Sequence, residues 1–381
     1  MNTKKITGSL LAALLASSTV VNTAQADATV TTIILPMVTE MMVNDKNKAA
    51  EAPEASAERK STLTPPEHVR REDQTLLTIP EWFLVHSPKE YANYIKAERP
   101  SRFPFFGHIR QFWSTYAAVH KATKDRYSFN FEYHAVVMTI GISTTVEYAI
   151  KGVYEAVFGA LTERRVPKAY RTAEDEYAAK IARDYVNFIV VDPWYKFDFM
   201  AAFNGLWDLP KQGEHRLRKW ERRFALSAEY LAKSGYAWVI KKTTQASFDP
   251  PKPVTAVVAR FKTKPLPQQV PGMTVLKQID AHRYLITLPR YQAFSDSAVA
   301  LARVGADFEE IAGNNEFIVL SVLTKSDFDE SKMGASVVLR QTILTVPGME
   351  RVVFRVPISE LSTALIKARH AGYNIEHIYD F

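Results

Sequence analysis

Two periods divide this chain. Between residues 75 and 248 apolar side chains recur at helical spacing, and after Val254 they alternate as strands require. In the first region Ser87-Pro88-Lys89-Glu90 carries a reciprocal capping pattern with proline at the first helical position, which predicts a helix start there. Ile109, Phe112, Trp113, Tyr116 and His120 share one side of a predicted helix over 106–124. A long helix is expected over 131–161, with Glu147, Lys151 and Glu155 four apart as an ion-pair ladder. Another follows over 172–191, capped by Thr172, with Tyr177, Ile181, Tyr185, Phe188 and Ile189 inward and Asp192-Pro193 as its stop. The last, over 214–242, is expected to bury Leu217, Trp220, Phe224 and Leu231 and to expose a basic face. The run Phe248-Asp249-Pro250-Pro251-Lys252-Pro253 then breaks the helical pattern and marks a domain boundary.

The alternating region contains an internal repeat. Arg283 to Pro289, a helical stretch and Gly305 to Ile311 form one copy; Arg351 to Pro357, a helical stretch and Gly372 to Ile378 form the second. Each copy reads as strand, helix, strand with paired parallel strands, and the glycine falls where a left-handed helix end is needed. Residues 316–324 and 336–345 are expected to pair as two long strands between the copies. The predicted class is α+β: a mostly helical N-terminal domain followed by a duplicated ferredoxin-like sandwich of βαβ repeats.

Composition adds an address. Lys4 and Lys5, an apolar run from Leu10 to Val21 and Ala24-Gln25-Ala26 read as an export signal over 1–26, cleaved or retained as an anchor. Residues 27–74 read as a disordered tether, 75–248 as an aromatic-rich helical domain and 254–381 as the duplicated domain. Apolar content of 47% indicates a chain that builds cores, and the absence of cysteine excludes disulfides, thiol catalysis and thiolate metal sites. The excess of 48 Lys+Arg over 41 Asp+Glu is too small to indicate nucleic acid and suits anionic headgroups better. Of the longer apolar stretches, 28–43 is interrupted by Pro36 and Glu40. Residues 135–150 carry Glu147, which favours a buried core helix over a membrane span.

No phosphate loop, HExxH, Gly-x-Ser-x-Gly or calcium loop occurs, so no cofactor is indicated by motif. Three weaker constellations remain. Five of nine histidines lie between residues 68 and 134; His120, Glu132 and His134 are candidate metal ligands, and Glu132, His134 and Glu147 candidate acid–base groups. Arg216, Arg218, Lys219, Trp220, Arg222 and Arg223 are a candidate membrane-surface patch. Glu309 and Glu376 occupy matching repeat positions and are candidate ligand-binding residues.

The segment Ile79-Pro-Glu-Trp-Phe-Leu-Val-His-Ser-Pro-Lys-Glu-Tyr-Ala92 resembles an uncharacterised family of bacterial membrane-associated or exported proteins. The resemblance continues through Ser143-Thr-Thr-Val-Glu-Tyr148, Arg218-Lys-Trp-Glu-Arg-Arg-Phe224 and Glu376-His-Ile-Tyr-Asp-Phe381. It brings no assigned activity. The expected function is a non-catalytic envelope protein, exported and periplasmic or inner-membrane-associated, whose partner is a membrane surface or envelope protein. A metal- or carboxylate-assisted hydrolase and a carrier of a hydrophobic small molecule are the alternatives.

Overall fold

Alternation after Val254 becomes eight strands in two sheets, and helical spacing before it becomes eight helices among the described residues of that region. The computed structural model describes residues 63–70, 73–125, 127, 130–244, 254–262, 270–325 and 327–379. The expected signal, most of the tether and the proline-rich boundary lie outside these residues. The class is α+β.

The helices are α1 (Asp73–Glu81), α2 (Phe83–Tyr94), α3 (Phe105–Thr123), α4 (Phe131–Tyr154), α5 (Ala160–Glu163), α6 (Ala173–Ile189), α7 (Phe199–Trp207) and α8 (Arg216–Thr244). The chain forms two compact units whose segments interleave, unlike the single boundary near residue 250 that composition suggests. The helical unit takes residues 83–110 and 138–244. The sheet unit takes 63–82, 111–137 and 254–379.

In the helical unit, α6 begins at Thr172 with both halves of a capping box: Asp175 N–H donates to Thr172 Oγ1 at 3.1 Å and Thr172 N–H to Asp175 Oδ2 at 3.2 Å. Tyr177, Ile181 and Tyr185 then pack on a core of Phe199, Ala202, Leu206, Leu226 and Tyr230. The expected start at Ser87-Pro88 is corrected, because α2 already runs from Phe83 and holds Pro88 in its interior. Proline there removes one backbone bond, while Ser87 is fully buried and bonds sideways instead of capping. Between α4 and α5 lies a π-helical turn, Glu155–Gly159. Its extra residue shifts the facing of Glu155, and a Cβ on Gly159 would meet the Glu155 carboxylate.

In the sheet unit, β1 (Val254–Phe261), β2 (Thr274–Gln278), β3 (Arg283–Pro289), α9 (Gln292–Arg303) and β4 (Ala306–Ile311) make one sheet of order β2-β3-β1-β4. Then β5 (Phe317–Lys325), the short α10 (Glu330–Met333), β6 (Ser336–Thr342), β7 (Met349–Pro357), α11 (Leu361–His370) and β8 (Asn374–Tyr379) repeat that order as β6-β7-β5-β8. All neighbours are antiparallel. Two expectations are thereby corrected. The strands flanking each helix do not pair, since β1 or β5 lies between them, and β5 and β6 are separated by β7.

Matching irregularities reinforce the repeat. Register shifts fall between Val258 and Ala259 and again between Ser321 and Val322, and also between Val275 and Lys277 and between Val337 and Leu339. Bulges reproduced at equivalent positions are built features of a strand pair. Gly305 and Gly372 both adopt φ +76° just beyond their helices, the conformation that favours glycine. One apolar core joins the inner faces of both sheets with Phe294 and Leu301 of α9 and Leu361 and Leu365 of α11. Arg70 donates to Thr255 Oγ1 at 3.1 Å and Thr64 to Glu310 at 2.9 Å, both partners being residues of the first sheet. Residues 63–70 of the expected tether are therefore seated on the sheet.

Candidate functional site

The long helix α8 has its polarity reversed relative to a water-facing helix. Arg218, Lys219, Arg222 and Arg223 are 1–6% exposed, whereas Trp220 is 48%, Trp238 57% and Phe224 67% exposed. The expectation that Leu217, Trp220, Phe224 and Leu231 pack inward against an outer basic face is corrected. From residue 217 to 240 the exposed positions are Leu217, Trp220, Phe224, Ala228, Leu231, Ala232, Gly235 and Trp238, none charged. Leu217, Phe224, Leu231 and Trp238 recur every seventh residue, a spacing that drifts only about 20° per repeat on a straight helix and so stays on one face.

The buried cations meet carboxylates from three other segments. Arg218 pairs with Asp175 at 2.8 Å and Glu163 at 3.2 Å, and Arg223 with Glu174 at 2.8 Å. Arg222 reaches Glu155 at 2.7 Å, which the π-helical turn delivers, and also pairs with Glu221. Lys219 is satisfied by the carbonyls of Pro210 and Gln212, both at 2.8 Å. Burial works to raise the Asp175 carboxyl, but the Arg218 guanidinium outweighs it and holds the group below its ordinary range. Such charges stay buried only because each has a partner. Of the expected patch, Arg216 and Trp220 alone are exposed.

Farther along, Glu147 and Lys151 of α4 meet Glu229 and Lys233 of α8 in a closed square. Lys151 stands 2.9 Å from Glu147 and 2.7 Å from Glu229; Lys233 stands 3.1 and 2.9 Å from the same two. The expected ladder is thus half present: Glu147 pairs with Lys151, while Glu155 turns to Arg222. Pairs 147/233, 151/229 and 155/222 run in opposite directions along the chain, so α4 and α8 are antiparallel. The square borders a cavity of about 90 Å³ together with Ser87, Tyr91, Tyr148 and Tyr185. Burial pushes the Tyr185 phenol up to about 12, against the opposing pull of Lys233.

The α4 face is also apolar outside. From Tyr133 to Glu163 the exposed positions are Val136, Ile150, Val153, Ala156, Val157, Phe158 and Leu161, followed by exposed Arg164 and Arg165. This stretch of 31 residues is the one helix among the described residues long and apolar enough to cross a membrane. The two faces adjoin: the Tyr154 ring lies 5.3 Å from Phe158 and 6.5 Å from Phe224, and Trp220 lies 6.2 Å from Trp207.

The remaining candidates are in the sheet unit. His134 shares a 2.8 Å hydrogen bond with Tyr116, and its ring centroid lies 5.8 Å from that of His120. The Glu132 side chain lies outside the described residues, and no group of three metal-capable side chains occurs among those described. Glu309 and Glu376 both fall at the β-bulges and face the arginine that opens each repeat. Glu376 is buried against Arg351 at 2.5 and 2.9 Å, while Glu309 lies 3.6 Å from Arg283 and 2.6 Å from Arg260. They occupy equivalent ion pairs.

Sequence reasoning missed Glu163, Glu174, Asp175 and Glu229. The available signal was the even supply of carboxylates to offset a basic helix. No family model, curated protein or solved structure matches this chain.

Proposed function

We propose that this is an exported envelope protein whose helical unit is seated in a membrane by the joined apolar faces of α4 and α8, with the sheet unit as a binding module. The carrying observation is the charge-free exposed face of α8 from 217 to 240. It is about 35 Å long, and the seven charged side chains of the same stretch turn inward or sideways into ion pairs. Ionisable groups within a bilayer behave in this way, facing the protein and pairing. Trp220 and Trp238 near the two ends, with Lys242 over the Trp238 ring at 4.2 Å, suit an interfacial belt. Lipid is favoured over a protein partner because no charged residue is among the exposed positions from 217 to 240. We also propose that each β3-α9-β4 or β7-α11-β8 split unit is ferredoxin-like, the duplication giving the module two equivalent ends.

Attachment of this kind rests on apolar burial and resists salt. Membranes from expressing cells, washed with concentrated salt and then alkaline carbonate, should retain the protein through the salt step. Release by salt, or recovery in the soluble fraction, rejects the reading. The carrier alternative gains nothing from a cavity of about 90 Å³, which has room for about three waters. Of the metal-hydrolase candidates among the described residues, His120 and His134 are brought together.

A further inference from the structure

We propose that Ser87, His108 and Glu90 form an acyl-transfer site that opens on the cavity of the helical unit. Ser87 Oγ lies 2.9 Å from His108 Nδ1, and His108 Nε2 lies 3.6 Å from Glu90 Oε2. At 3.6 Å the Glu90 carboxylate is beyond hydrogen-bond reach of Nε2 and acts on the ring by its charge, and Nδ1 is the nitrogen that faces the serine hydroxyl. Tyr148 OH stands 2.7 Å from Ser87 Oγ. Ser87 and Tyr148 line the cavity, and His108 is buried beside Ser87, stacked on Phe103 at 4.7 Å. A nucleophile at the cavity wall, a base behind it and a carboxylate behind the base are the three roles that serine acyl transfer needs.

The chemistry closes with the ester and water as its two reactants. Ser87 Oγ attacks an ester carbonyl as its proton passes to His108 Nδ1, and the Tyr148 hydroxyl turns to the developing oxyanion. The tetrahedral intermediate then expels the alcohol, which takes the proton from His108. Water repeats the sequence on the acyl-serine, releasing the acid and restoring the Ser87 hydroxyl. The cavity admits an acyl group of roughly two to four carbons, so the substrate class is a short-chain ester. Glu90 is a positioning residue acting through His108.

The test uses detergent-solubilised full-length protein, which separates it from the membrane reading. A small fluorophosphonate and p-nitrophenyl acetate are the probes, with peptide mass spectrometry locating the adduct. Wild type should carry one adduct on Ser87, and ester turnover should vanish in Ser87→Ala. His108→Gln should slow labelling by roughly 10²–10⁴-fold. Glu90→Gln should slow it less and move the acid limb of the pH–rate profile to lower pH, because the carboxylate no longer supports a protonated imidazole. Absence of a Ser87 adduct in folded wild-type protein would overturn the proposal without recourse to any variant. Equal labelling rates in His108→Gln would do the same.

Discussion

Phe224 is the most informative single position on the apolar face, because its side chain touches little of the protein it belongs to. It leaves 67% of its surface open. With about 200 Å² for a phenylalanine, that is roughly 130 Å². At about 25 cal/mol/Å² its removal from water is worth about 3 kcal/mol, so Phe224→Ser should weaken membrane partitioning by roughly two orders of magnitude. The assay is flotation with phosphatidylcholine vesicles over a range of lipid concentrations, at low and high salt. The melting temperature in detergent should be unchanged, since exposed substitutions usually cost within about 0.5 kcal/mol. Trp238→Ser, also more than half exposed and on the same seven-residue register, should produce a loss of similar size. Vesicle affinity that ignores both substitutions, or that collapses in high salt, would refute the reasoning.

The ionic interior makes the opposite prediction. Arg222→Ala leaves Glu155 and Glu221 without their shared cation and should destabilise the fold by about 3–5 kcal/mol, seen as a lowered denaturation midpoint; a wild-type midpoint would show that Arg222 is not buried. Gly159→Ala forces a Cβ against the Glu155 carboxylate and should cost about 1–3 kcal/mol. In a double-mutant cycle that penalty should largely disappear on a Glu155→Ala background. Asp175, held below its ordinary range against the effect of burial by Arg218, contributes stability that is present above the unfolded carboxylate pKa and is lost as pH falls through the folded value. The stability difference between wild type and Asp175→Asn should therefore be full at neutral pH and shrink below about pH 4; a gap that widens in acid contradicts the pairing.

What the sequence makes legible follows from what a period can encode. Spacing assigns residues to a common helix face, and it does so for α6 down to its Thr172 cap. It also carries the matching left-handed Gly305 and Gly372. A period cannot say which face is inside. In α8 the apolar stripe and the basic stripe are both regular, and the hydrophobic-inside rule selects the one that the structure leaves exposed. The deciding residues are elsewhere: Glu155, Glu163, Glu174 and Asp175, whose acidity is consumed by four cations of one helix, together with the absence of any exposed charge from 217 to 240. Strand order is hidden for a similar reason. Each βαβ signature is local, while the strand that inserts between its members, β1 or β5, comes earlier in the chain and pairs with both. Ser87 shows the third kind of loss. Its neighbours Pro88 and Glu90 suggest a cap, yet its bonds to His108 and Tyr148 come from residues 21 and 61 positions away. A side chain whose local motif goes unused, and whose hydroxyl instead faces a base and a cavity, is where chemistry should be sought.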